Sequence, residues 1–116
     1  MTDETDAFLA AVNDLDGALD ESLAMTQRMK DRIREIRDGH ASGRPLRELV
    51  PEEQRPLLVQ LLTENANLLH SYGTRVRRTE ARALHHEGMT MDEIARQFGV
   101  TRQRISALLR DTAARG

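Results

Sequence analysis

Between Thr101 and Arg110 the chain carries Arg102, Gln103, Ser106, Ala107 and Arg110 at spacings that fall on one side of a helix, with Ile105 and Leu108 on the other. The chemistry those residues suit is recognition of base edges. An arginine fork matches O6 and N7 of guanine, a glutamine amide matches N6 and N7 of adenine, and an alanine methyl can approach a thymine methyl. A solvated polar face on a small helical hairpin has the same composition, so the surrounding elements must decide between the two.

Those elements read as a helix-turn-helix from Gly88 to Arg110. Met91, Ile94, Ala95 and Phe98 share one face of a first short helix; Ile105, Leu108 and Leu109 share one face of a second. Thr90 with Glu93 three residues later forms a capping box, so the first helix starts at Thr90 and runs to about 98. Gly99 supplies a left-handed corner, Val100 is expected to turn inward as a plug, and Thr101 caps a helix over 101–110. Ala95 sits where the helices should cross, with room for a methyl only. The polar side of the second helix is then free to enter a major groove.

Thr90 to Ile105, with its Met-Asp-Glu-Ile-Ala core and Gly-Val-Thr-Arg-Gln-Arg-Ile run, resembles bacterial helix-turn-helix regulators, and most of all the promoter-reading last region of sigma factors. The resemblance covers about the last 40 residues. It implies that Arg102 and Gln103 contact bases; Ser106 and Ala107, on the same polar face, are the other base-facing candidates. It also implies that Arg96, Arg104 and Arg110 lie near phosphates; the capping residues Thr90 and Thr101 are further phosphate candidates. Gln103 stands where the sigma pattern usually has an acidic residue, and the other sigma regions are absent, so a sigma factor acting alone is not expected. The first 70 residues carry no such resemblance.

Composition narrows the classes. The 116 residues include 3% aromatic and 31% charged side chains, which favours long solvated helices over a dense core. Without cysteine there is no disulfide, thiolate zinc or cysteine catalysis. No apolar run approaches the ~20 residues that span a bilayer, and the opening Met-Thr-Asp-Glu-Thr-Asp is acidic where a signal peptide is basic. The expected location is the cytoplasm, at the nucleoid, with no membrane partner. The net charge of −2 hides a split: residues 1–72 hold 14 acidic and 8 basic side chains, residues 73–116 hold 5 and 9. Positive charge collects on the half that holds the candidate groove-reading helix.

Upstream, residues 4–38 lack proline and predict one helix with heptad-spaced Phe8, Val12, Leu15, Leu19, Ser22, Thr26, Met29, Ile33 and Ile36, seven of these nine positions apolar. Residues 3–21 hold seven acidic and no basic side chains, whereas Arg28, Lys30, Arg32, Arg34 and Arg37 follow. Two such helices side by side favour antiparallel pairing, although acid at an N-terminus and base at a C-terminus also suit the helix dipole. Gly39 to Pro45 is a loop, residues 46–50 a short helical turn, and a second helix starts near Pro56. Its stripe of Leu58, Leu61, Leu62, Leu68, Leu69 and Tyr72 is interrupted by Asn65 and continues in phase through Val76 and Ala83. Continuity through Gly73 is therefore preferred to a break, with residues 74–87 serving as the first helix of the C-terminal unit and Gly88 as its cap. There Arg75, Arg77, Arg78 and Arg82 are candidates for backbone phosphates.

Catalysis finds no support. His85 and His86 point about 100° apart on a helix and cannot share one metal by local spacing, and no glycine-rich phosphate loop occurs. The expectation is an all-α, dimeric, sequence-specific DNA-binding transcriptional regulator without cofactor or metal. Residues 1–72 form a coiled-coil-like dimerisation hairpin and residues 73–116 the DNA-binding domain. Dimerisation is assigned to Phe8, Val12, Leu15, Leu19, Met29, Ile33, Ile36, Leu58, Leu61 and Leu62, in a homodimer on double-stranded DNA. Two other readings fit the same features: an adaptor for RNA polymerase or a sigma factor, and an architectural or recombination accessory protein.

Overall fold

The computed structural model describes residues 3–110, and all regular structure among them is helical. Helix α1 spans Asp3–Ala41 and α2 Leu46–Leu49, followed by a 3-10 turn at Val50–Glu52; α3 spans Leu58–His86, α4 Met91–Phe98 and α5 Arg102–Arg110. Helices α1 and α3 pack as a hairpin, and the two short helices follow at the C-terminal end. The all-α class with a long N-terminal hairpin is as the sequence leads one to expect. Helix α3 passes through Gly73 without interruption, because one glycine costs a helix only ~1 kcal/mol while the apolar stripe on both sides keeps its phase.

The chain divides into two compact units, one of residues 17–70 and one that joins the residues up to Asp16 to those from Ser71 onward. In the first, the buried side chains are the apolar Ala18, Met25, Leu49 and Leu61 and the polar Ser22 and Arg32. Ser22 donates to Asn65 Oδ1 at 2.6 Å, so the two polar residues that interrupt the stripes of α1 and α3 satisfy each other. Such a pair fixes the register of the helices. Arg32 Nε has no acceptor among the described residues.

The face that α1 buries is turned from the one its heptads suggest. Phe8, Val12, Leu15, Ser22, Met29 and Ile36 are buried or half-buried as expected, but Leu19, Thr26 and Ile33 give up the inner positions to Ala18, Met25 and Arg32. Leu19 and Ile33 remain 43% and 37% exposed. Small side chains at 11, 18 and 22 let a neighbouring helix approach closely, which favours that face over a bulkier one.

Helix α1 also runs past the expected end at Asp38 to Ala41. The stop is Gly43, at φ 92°, where Gly43 N–H donates to His40 O at 2.9 Å and Arg44 N–H donates to Gly39 O at 3.1 Å. Gly39 stays inside the helix because Leu49 covers it: an added Cβ would collide with Leu49 Cδ2. In the connection, Arg44 grips Glu52 with both terminal nitrogens, the Nη1 contact at 2.8 Å. Two side chains then open α3, with Gln60 accepting from Leu57 N–H at 2.7 Å and Glu53 from Leu58 N–H at 2.9 Å. The helix accordingly starts at Leu58, two residues after Pro56.

Candidate nucleic-acid interface

In the second unit, Ala81 from α3, Ile94 and Ala95 from α4, and Ile105 and Leu108 from α5 form one buried cluster, flanked by Leu84, Met89, Met91, Phe98 and Leu109. Three helix segments thus share a core whose largest members, Ile94 and Ile105, are fully buried. Local chemistry fixes each junction. Helix α3 ends at Gly88 (φ 107°), with Met89 N–H donating to Leu84 O and Gly88 N–H to His85 O, both at 3.1 Å. Thr90 then opens α4 with both halves of its capping box: Glu93 N–H donates to Thr90 Oγ1 at 3.1 Å, and Thr90 N–H donates to Glu93 Oε1 at 2.8 Å. That second bond, with the one from the hydroxyl, holds the Glu93 carboxyl below its usual range.

The corner between α4 and α5 is a left-handed glycine. Gly99 has φ 69° and ψ 35°, its N–H donates to Arg96 O at 3.3 Å, and Val100 N–H donates to Ala95 O at 3.0 Å. Val100 itself does not plug the core. Its side chain is 40% exposed, because the bond from its N–H back to Ala95 turns the side chain outward, and Ile94 and Ile105 fill the interior without it. Thr101 Oγ1 then accepts from Arg104 N–H at 3.1 Å and caps α5.

With Ile105 and Leu108 inward, α5 leaves Arg102, Gln103, Arg104, Ala107 and Arg110 exposed and Ser106 half-buried. Thr90 and Thr101 are exposed at the caps, and Arg96 is exposed on α4. Arg110 and Arg102 also have side-chain partners: Arg110 Nη1 donates to Ser106 Oγ at 2.9 Å, and Arg102 Nε lies 3.8 Å from Asp92 Oδ1. Both are exposed contacts of the kind worth ~0–1 kcal/mol, so neither fixes its arginine against a competing anion. No family model, curated protein or solved structure matches this chain.

The arginines of α3 differ from those of α5. Arg75 is paired with the Asp14 carboxylate, Arg78 and Arg82 are half-buried, and Arg77 is exposed. Asp92 is a participant that the sequence pattern did not single out, since its proximity to Arg102 depends on how α4 and α5 cross. His86 Nδ1 lies 3.7 Å from Glu4 Oε1, and among the described residues no three His, Asp or Glu side chains converge on a metal-sized site. No described helix is long and apolar enough to cross a membrane. Of the ten residues assigned to dimerisation, Leu61 is fully buried, Phe8, Val12, Leu15, Met29, Ile36 and Leu58 are half-buried, and Leu19, Ile33 and Leu62 are exposed.

Proposed function

We propose that this chain is a sequence-specific DNA-binding transcriptional regulator that acts as a homodimer, with α5 as the recognition helix of a helix-turn-helix in the major groove. One observation carries the reading. A nine-residue helix is anchored by Ile105 and Leu108 in a three-helix core, while Arg102, Gln103 and Ala107 stand exposed together on its other side. Arg102 and Gln103 are the base readers, with Ser106 and Ala107 beside them. Arg104 and Arg110, with Arg96 and the cap hydroxyls of Thr90 and Thr101, face the backbone phosphates. A single recognition helix has few contacts to spend, so two copies on two half-sites supply the affinity.

Titration of labelled duplex with the full chain at several salt concentrations tests the reading. Each phosphate neutralised by a cation contributes a slope of about −0.9 to log K against log salt, so a slope of roughly −4 to −8 is expected for two copies. Absence of binding at low salt rejects the proposal. Equal affinity for all duplexes would point instead to an architectural role.

A further inference from the structure

Within residues 17–70 the hairpin leaves a second set of apolar side chains outside its own seam, and this set has a regular place. On α1, Ala18, Ser22 and Arg32 are buried, and the residue after each, Leu19, Leu23 and Ile33, is 43%, 68% and 37% exposed. On α3, Leu61 is fully buried and Leu62 is 53% exposed; Val59 and Leu69, which follow half-buried Leu58 and Leu68, are 63% and 36% exposed. One residue is about 100° of helix. Because the two helices of a hairpin run in opposite directions, the same rotation away from the shared seam brings both stripes to the same side. The result is one apolar strip, with Leu19, Leu23 and Ile33 along one edge and Val59, Leu62 and Leu69 along the other. Single exposed leucines are ordinary; a contiguous strip marks an interface.

We propose that a second copy of this chain covers the strip, with α1 antiparallel to α1 of the second copy, closing a four-helix bundle. The charge pattern of α1 argues for a second copy over another partner. Asp20 flanks the strip before Thr26, and Lys30, Arg34 and Arg37 lie beyond it. Acid on one side of a midpoint and base on the other is complementary to itself under a two-fold axis through that midpoint. An axis near Thr26 sets Leu19 against Ile33 of the second copy, Leu23 against the aliphatic stem of Lys30, and Asp20 against Arg34. Since Ser22 pairs with Asn65 within the hairpin, the same axis crosses α3 near Leu62, which meets its own counterpart. A parallel pairing would set Asp20 on Asp20 and Arg34 on Arg34.

This inference deepens the dimer of the proposed function, and it is tested on the full chain without DNA. Sedimentation equilibrium should show a dimer for the unaltered chain. Leu62→Glu and Leu23→Glu change exposed positions, so helix content by circular dichroism should persist while the dimer dissociation constant rises about 100-fold or more. Asp20→Arg and Arg34→Asp should each weaken the dimer about fivefold, and together restore it to within about twofold. A single-chain mass at roughly 100 µM, a concentration at which a specific dimer stays associated, would overturn the proposal. So would an unchanged dimer in Leu62→Glu, or a double charge swap that fails to recover. A duplex titration read separately on the same variants keeps the outcomes apart, since groove reading by α5 can survive loss of the strip and the strip can survive loss of DNA binding.

Discussion

At the scale of single residues, α5 separates the side chains that anchor it from those proposed to read DNA. Ile105 and Leu108 hold the helix, and the exposed arginines differ in what they can reach. Arg102, at the first turn, is proposed to meet a base edge; Arg102→Ala should flatten preference at one base pair, a loss of about 1–3 kcal/mol of discrimination, in a selection from random duplexes. Arg110, at the last turn, is assigned to a phosphate. Arg110→Ala should weaken all sequences alike and reduce the salt slope by about 1. Glu93 gives a prediction in pH. Its carboxyl is held below the ordinary 4.5 by bonds from Thr90, so its contribution to stability is complete above that value and is lost as pH falls through the depressed one. Glu93→Gln keeps an acceptor for the Thr90 amide but removes the titration. Its thermal midpoint should therefore fall less steeply than that of the unaltered chain as pH drops below 4.5. The caps at Thr90, Gly88 and Gly99 were legible in sequence because each is a bond between residues at most a few positions apart. The Arg102–Asp92 approach was not, because it depends on the crossing of two helices.

At the scale of elements, glycine has opposite meanings at different places. Gly99 occupies a left-handed conformation that closes α4, and Gly99→Ala should cost about 1–2 kcal/mol of stability by denaturant unfolding. Gly17 lies inside α1 with open space where a methyl would sit, so Gly17→Ala should stabilise by up to ~1 kcal/mol. Together the two variants test whether the corner and the long helix are built as described. The Ser22–Asn65 bond belongs to this scale as well. Ser22→Ala alone strands a half-buried amide and should cost about 1–2 kcal/mol, whereas adding Asn65→Leu should recover most of it. A double-mutant cycle by thermal unfolding measures the coupling. That α1 and α3 are long, that they are helical and that both carry seam-spaced apolar residues were readable from periodicity. Which of two adjacent faces of α1 turns inward was not. Leu19, Thr26 and Ile33 compete with Ala18, Met25 and Arg32 only one residue apart, and closeness of approach rather than hydrophobicity decides between them.

At the scale of the whole molecule, two surfaces are proposed to act together: a polar helix face free to read a groove, and an apolar strip free to receive a second copy. A two-fold dimer binds symmetric sites, so the preferred DNA should be an inverted repeat whose half-site centres lie about one helical turn, ~34 Å, apart or a multiple of it. The measurement that tests this most directly is selection of the unaltered chain on a library of random duplexes at near-physiological salt, with the enriched sequences read out. An inverted repeat with fixed spacing is the expected result. A pool that stays random after repeated rounds, with the chain failing to retain duplex at any salt, would contradict it.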